Sequence, residues 1–192
     1  MRNLVLALVT LTLSAPSFAA TYKVDLSHSQ MGFSVRHLFS KVPGKFNEFE
    51  GTFNFDEKTA EKGSADFTIK TASIDTDTPK RDDHLRSPDF FDAQKYPTIT
   101  FKSKSVRSTG KNKYKLSGDL MMHGVTKPVT FDAEYLGTDK DPWGNTKVGF
   151  TASTKINRKD FGIVWNKKLD SGNLLLSEEV ELNIQIEADQ QK

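Results

Sequence analysis

Four side chains could perform acid–base chemistry or bind a metal ion: Asp82, Asp83, His84 and Asp89. Histidine changes its charge near neutral pH, and a neighbouring carboxylate can orient it or accept its proton. The same residues, with two arginines among them, could instead bind the head group of a ligand or form the charged surface of a helical cap. The elements that surround the cluster decide between these interpretations.

The sequence contains none of the motifs that accompany catalysis in several large enzyme classes. It has no cysteine, no GxSxG, no HExxH and no glycine-rich phosphate loop. The remaining histidines, His28, His37 and His123, are scattered without the spacing of metal ligands. We therefore predict no metal and no other cofactor, although a zinc site assembled from scattered histidines is left open.

The charged cluster is predicted to lie on a short helical segment near residues 79–92. Thr78 followed by Pro79 is typical of a helix start, and Pro88 would end the helix after about two turns. Leu85 and the phenylalanines that follow could anchor such a helix. The pattern therefore favours a helical cap over one end of the domain.

Residues 1–19 have the pattern of a cleavable signal peptide. Arg2 precedes an apolar run over residues 4–13, and small residues precede a cleavage site after Ala19. The apolar run is about half as long as the roughly 20 residues that span a bilayer, so we predict no transmembrane segment. We expect an exported, periplasmic protein whose mature domain covers residues 20–192.

The charge balance gives no indication of a polyanionic partner. The whole chain has 27 basic and 25 acidic residues, and removal of Arg2 with the signal peptide leaves 26 against 25. A net charge of +1 creates no field that would attract nucleic acid. Because there is no cysteine, the fold must be stable without disulfides.

Alternating apolar and polar residues predict an all-β domain with antiparallel strands. On one such run Val129, Phe131, Ala133 and Tyr135 share a face. Eight strands are predicted, at residues 22–36 with a break allowed at 27–29, and at 45–55, 64–70, 98–105, 113–121, 128–137, 146–156 and 178–187. Eight antiparallel strands can form a closed barrel or a two-sheet sandwich, and alternation alone does not separate the two.

Four segments carry a resemblance to a known family. They are "DLSHSQMGFSVRHLFSKVPGKFNEFEGTFNFD", "SIDTDTPKRDDHLRSPDFFDAQKYPTITF", "GDLMMHGVTKPVTFDAEY" and "INRKDFGI". Together they resemble the YceI-like family of exported bacterial proteins, associated with polyisoprenoid binding, from about Tyr22 to Glu187. The resemblance implies a single eight-stranded, lipocalin-like barrel that encloses an isoprenoid chain, with no reaction established for the family as a whole.

A prenyl chain would need an apolar tunnel through such a barrel. The residues expected to line it are Phe33, Val35, Phe53, Phe55, Phe67, Ile69, Phe131, Tyr135, Phe150 and Ile156. The same side chains could simply fill the core, because their burial is favourable with or without a ligand.

His37 and Arg158 are the candidate head-group ligands. Each extends an apolar stripe at the end of a strand, where it could bind a phosphate or a quinone carbonyl. Arg158 could instead form an ion pair with Asp160 or with an acidic residue of the helix, and His37 could be a buried structural histidine.

The sequence therefore predicts a non-catalytic carrier for isoprenoid lipids such as a polyprenyl diphosphate or an isoprenoid quinone. An exported hydrolase or isomerase that uses Asp82, His84 or His37 as acid–base groups is the alternative. An adhesion or stress protein without a ligand is a third reading. No nucleic acid partner is expected, and a homodimer is left open.

Overall fold

The structure is a computed structural model that describes residues 19–192. The predicted signal peptide, residues 1–19, lies outside the described residues apart from Ala19. The strands are β1 (Ala20–Val24), β2 (Gln30–His37), β3 (Ser40–Phe46), β4 (Phe49–Phe55), β5 (Ser64–Lys70), β6 (Ile74–Asp75), β7 (Thr98–Gly110), β8 (Lys113–Met122), β9 (Val125–Lys140), β10 (Thr146–Asn157) and β11 (Leu176–Gln190). The helices are α1 (Pro79–Arg86) and the short 3-10 helices Glu57–Lys62, Thr71–Ser73 and Arg158–Phe161.

These strands form a closed antiparallel barrel. Its wall has eight strand positions, which we call staves. Three staves are each built from two short strands in line, β1 with β2, β3 with β4, and β5 with β6, and each later strand forms one stave. The barrel closes where β1 pairs with β11, at Tyr22 opposite Gln190 and Val24 opposite Ala188. The predicted eight-stranded barrel is confirmed, the allowed break falls between β1 and β2, and the closure excludes a sandwich.

The alternation predicted from the sequence produces this wall. Along β4, residues 49, 51, 53 and 55 are buried and the residues between them are exposed, as expected when successive side chains point to opposite faces. Gly51 has a further role, because a Cβ atom there would overlap the ring of Phe67 on the neighbouring strand. Glycine at this position therefore gives the aromatic ring room to lie against the backbone.

The two ends of the barrel are built differently. We call one the α1 end; it comprises residues 37–40, 71–97, 122–125 and 158–175. The opposite end comprises residues 56–63, 110–113 and 140–146. Apolar clusters fill the interior towards each end, with Tyr22 and Tyr135 in the cluster at the opposite end and Phe90 and Phe161 at the α1 end. Phe67 packs against both clusters and joins them.

The predicted helical cap is present at the α1 end. Helix α1 ends at Arg86, where the Ser87 N–H donates to the His84 carbonyl, and turns continue the cap through residues 87–96. Leu85, Phe90 and Phe91 belong to the apolar cluster beneath it. The cap is therefore held to the barrel by apolar packing, as the sequence indicated.

Candidate functional site

The barrel interior contains a cavity of about 200 Å³ with an almost entirely apolar lining. The lining extends from Ala60 and Tyr114 near the opposite end to Met122 and Ile156 near the α1 end. The cavity therefore follows the length of the barrel, and its wall offers a ligand apolar contacts with few hydrogen-bonding groups.

Eight of the ten residues predicted to line a tunnel lie on this cavity. They are Phe33, Phe53, Phe55, Phe67, Ile69, Phe131, Phe150 and Ile156. Tyr135 is buried beside the cavity, where its hydroxyl lies 2.8 Å from Thr138 Oγ1 and its ring packs on Phe55. Val35 lies further towards the α1 end, between Val42 and Val180 on the adjacent strands.

The sequence analysis left out many of the lining residues. They include Ile99 and Phe101 on β7, residues 114, 116, 120 and 122 on β8, and residues 182, 184 and 186 on β11. All of them follow the same period of two that identified the other strands. The signal was therefore present, and a systematic assignment of parity along every strand would have identified these residues as inward-facing.

Aromatic rings pack against one another towards the opposite end of the barrel. Phe55 lies with its ring centroid 4.9 Å from that of Phe150 and 5.0 Å from that of Tyr135, and Tyr22 stacks on Phe53 at 5.4 Å. Burial raises the pKa of the Tyr22 phenol above its ordinary value. This end of the interior is therefore a packed, poorly solvated group of rings.

A second group of rings lies beneath the helical cap. Phe90 and His84 each lie 5.0 Å, centroid to centroid, from Trp165, and Phe91 meets Phe46 edge to face at 5.9 Å. Trp165 follows the Arg158–Phe161 helix, so the cap is made jointly by α1 and by the segment that precedes β11.

The charged cluster on α1 does not converge on a common substrate position. Asp82 is buried, and its Oδ1 accepts from the Thr76 N–H at 2.9 Å and from the Thr76 hydroxyl at 2.5 Å. Arg81 Nε donates to the same hydroxyl at 2.6 Å. His84 Nε2 instead lies 2.9 Å from Asp89 Oδ2 at the surface. These contacts fasten α1 to the chain before it, which is the role of a cap.

Arg158 is buried at the α1 end, with 4% of its surface exposed. Its Nε donates to the Ser177 carbonyl at 3.0 Å and its Nη1 to the Ile163 carbonyl at 2.7 Å, so backbone oxygens accept from the guanidinium in place of the predicted Asp160 carboxylate. Its Nη2 is buried and has no hydrogen-bond partner within residues 19–192. Burial lowers the pKa of the guanidinium from its ordinary value.

His37 lies at the same end of the barrel as Arg158, on the other side of β11. It pairs with Leu176 at the start of β11, and Asn157, which precedes Arg158, pairs with Glu179. The fold thus brings the two predicted head-group residues to one end of the barrel. Neither residue is part of the lining of the cavity within the described chain.

One group of side chains has the spacing of a metal site. Oxygen or nitrogen atoms of Asp25, His28 and Glu187 lie within 4.8 Å of one another. The Lys147 ammonium is 2.6 Å from Asp25 Oδ2 and 3.4 Å from Glu187 Oε1. Since the Lys147 ammonium already pairs with both carboxylates, the group is an ion-pair network that ties β10 to the end of β1.

The helices give no sign of a membrane span. Across residues 19–192, none combines the length and the apolar character that crossing a bilayer requires.

Comparison with known proteins gives a consistent match over nearly the whole chain. The model of the YceI-like domain matches residues 22–188. Protein YceI of Escherichia coli O157:H7 is 45% identical over 191 residues, which cover 97% of this chain and 96% of that protein. The crystal structure of Burkholderia cenocepacia BcnA has a TM-score of 0.77 at 27% identity, covering 85% of this chain and 98% of that chain.

A more distant structure shares the fold. A polyisoprenoid binding domain from Saccharophagus degradans, implicated in plant cell wall breakdown, has a TM-score of 0.63 at 16% identity, covering 90% of this chain and 99% of that domain. The closed barrel, its apolar interior and the match to the family model lead to one assignment. This chain belongs to the YceI-like family.

Proposed function

We propose that this protein is a non-catalytic carrier that holds an isoprenoid lipid inside its barrel. The observation that carries the proposal is the apolar cavity that follows the length of the barrel. Membership of the YceI-like family and the shared fold with a polyisoprenoid binding domain support a lipid-binding barrel. The signal-peptide pattern supports an exported, periplasmic carrier.

The size of the cavity constrains how a ligand binds. Its volume of about 200 Å³ is below the roughly 300 to 1,000 Å³ of most ligand pockets. A long prenyl chain therefore requires the interior to widen, and the aromatic rings that line it are the groups that can move. Phe67 and Phe33 lie against glycines 51 and 44, so rotation of these rings is the simplest way to enlarge the cavity.

The polar end of the ligand is assigned to the α1 end in this proposal. Arg158 Nη2 is a buried donor that has no partner in the described part of the chain, and such a group is stabilised when it meets a phosphate or carbonyl oxygen. His37, half-buried nearby, supplies a second donor. A ligand that reaches Arg158 must displace part of the cap, because the guanidinium lies outside the lining of the cavity.

A pair of adjacent substitutions on β10 tests the carrier function. Ala152 lines the cavity, whereas Ser153 is exposed on the outer face of the same strand. Native mass spectrometry of gently extracted wild-type protein should show a bound lipid. Ala152→Phe should fill the cavity and abolish the added mass, and Ser153→Phe should leave it unchanged.

Retention of the lipid by Ala152→Phe at the wild-type level would contradict binding in the cavity. Chemical conversion of the co-purified compound by the wild-type protein would favour the hydrolase or isomerase alternative instead. The same conversion assay on Asp82→Ala and His84→Ala would then test their role as acid–base groups.

A further inference from the structure

The α1 end carries a group of exposed apolar side chains that the cavity does not explain. Phe39 is fully exposed at the tip of the β2–β3 hairpin, and Val164 and Leu174 are 62% and 41% exposed. The Leu38 N–H donates to the Leu175 carbonyl at 3.0 Å, and Leu174 forms a β-bridge with Lys168. Residues 36–41 and 163–176 therefore form one continuous surface, which we call the rim.

The backbone of the hairpin tip supports a role for this surface. Leu38 has φ of 51°, in the left-handed region where glycine is favoured. A bulky apolar residue in that conformation is unfavourable, and such residues concentrate at functional sites. The tip thus keeps leucine at position 38, where a turn without a further function would favour glycine, directly before the exposed Phe39.

The rim is also positively charged. Its two segments contain Arg36, Lys41, Lys167 and Lys168, and Asp170 is their acidic residue. Lys41 Nζ lies 2.6 Å from Glu181 Oε2, whereas the other three cations have no acidic partner within residues 19–192. Exposed apolar tips beside unpaired lysines and arginine are the combination that binds the interface of an anionic bilayer.

We propose that the rim docks on the surface of a membrane that contains anionic lipids. This inference rests on the proposed carrier function, since a carrier must exchange its lipid with a bilayer. The segment that provides Leu174 and the lysines also provides Ile163 and Trp165 to the cap over the interior. Docking would therefore contact the element that caps the barrel at this end.

A bilayer fits the rim better than a protein partner does. The apolar groups are separate tips on two loops, and Phe39 is not covered by any part of residues 19–192. Such tips insert individually among lipid head groups, with long basic side chains reaching the phosphates. Trp143 at the opposite end is 84% exposed but lies among Asp139, Lys140 and Asp141, and it provides a matched control.

Co-sedimentation with vesicles tests the docking. The purified protein should bind vesicles of phosphatidylcholine mixed with phosphatidylglycerol much more strongly than vesicles of phosphatidylcholine alone, and salt should weaken the binding. Lys167→Gln with Lys168→Gln should weaken it roughly thirtyfold, from about fivefold for each lysine. Phe39→Ser should weaken it roughly tenfold, and Trp143→Ser should bind as the wild type does.

Three results would overturn the inference: equal binding to both kinds of vesicle, no binding at all, or equal losses in Phe39→Ser and Trp143→Ser. Capture of an acidic protein by a rim that does not bind vesicles would also count against it. Uptake of a soluble fluorescent prenyl analogue, measured without vesicles, tests the carrier function independently of membrane docking. Phe39→Ser should take up the analogue normally, and a wild type that cannot take it up refutes the carrier, whatever the vesicles show.

Discussion

Lys147 Nζ lies 2.6 Å from Asp25 Oδ2, and this ion pair joins β10 to the segment that follows β1. The two strands are not neighbours, because β11 lies between them. Lys147 also contacts Glu187 and Asp189 of β11, at 3.4 and 3.0 Å. One ammonium therefore links three successive staves at the place where the barrel closes.

Acid should weaken this link. Hydrogen bonds from Lys147 and then from His28 hold the pKa of the Asp25 carboxyl well below its usual range. A carboxyl whose pKa is lower in the folded protein stabilises the fold above its unfolded pKa of about 3.9, and the stabilisation is lost as the pH falls further. Lys147→Met should lower the free energy of unfolding by roughly 1.5 kcal/mol at pH 7, and this difference should shrink below about pH 4.

Thermal melting of both proteins across this pH range measures the effect. Lys155 forms a more exposed pair with Glu179, so Lys155→Met should cost less stability than Lys147→Met. Equal losses in the two variants would contradict the special position of Lys147.

Two adjacent carboxylates on α1 should behave differently. Asp82 is buried and accepts two hydrogen bonds from Thr76, whereas the Asp83 side chain is 79% exposed. Asp82→Ala leaves buried donors of Thr76 without an acceptor, so it should cost about 1 to 3 kcal/mol in denaturant unfolding. Asp83→Ala should change stability by less than about 0.5 kcal/mol, and similar unfolding curves for the two variants would disprove the structural role of Asp82.

Alanine substitutions at Arg158 and His37 distinguish a structural role of each residue from a role in ligand binding. Arg158→Ala removes the donors to the Ser177 and Ile163 carbonyls. It should therefore lower the free energy of unfolding of the ligand-free protein by about 1 to 3 kcal/mol, with a corresponding fall in the melting temperature. If Nη2 also meets the ligand, release of a fluorescent prenyl analogue should be faster. His37→Ala should affect only that release, and unchanged release in both variants refutes the head-group assignment.

A substitution at Gly51 tests the packing of the cavity wall. Gly51→Ala places a Cβ atom against the ring of Phe67, which should force the ring into the cavity and cost about 1 to 3 kcal/mol. Gly110 has no atom within 4 Å of such a Cβ, so Gly110→Ala should be nearly neutral. Calorimetry gives the stability, and reduced uptake of a prenyl analogue by Gly51→Ala alone would show that the wall sets the capacity.

The sequence predicted the staves because alternation is a local property of each strand. The inward parity of β10 also extends to Arg158, which the sequence analysis expected to meet a head group and which is buried in the structure. Its partners could not be predicted, because the Ser177 and Ile163 carbonyls are backbone groups that leave no trace in a side-chain pattern. The link between Asp82 and Thr76 also depends on the conformation of the turn between them.

The cavity was harder to predict than the barrel. Parity correctly placed Tyr135 and Phe150 inside, but only Phe150 lines the cavity. Whether an inward ring borders empty space depends on how the side chains of all eight staves share the interior. That is a property of the whole packing and not of any one strand.

The pairing of β1 with β11 has a consequence for how the molecule is made. These are the first and last strands of the described chain, so the contact between Tyr22 and Gln190 is among the least local that the fold can make. During synthesis or refolding, β1 keeps an unpaired edge until the end of the chain arrives. Proteins dominated by such distant contacts fold slowly, and open strand edges promote aggregation. We therefore expect the closure to be the slow step in assembling this barrel.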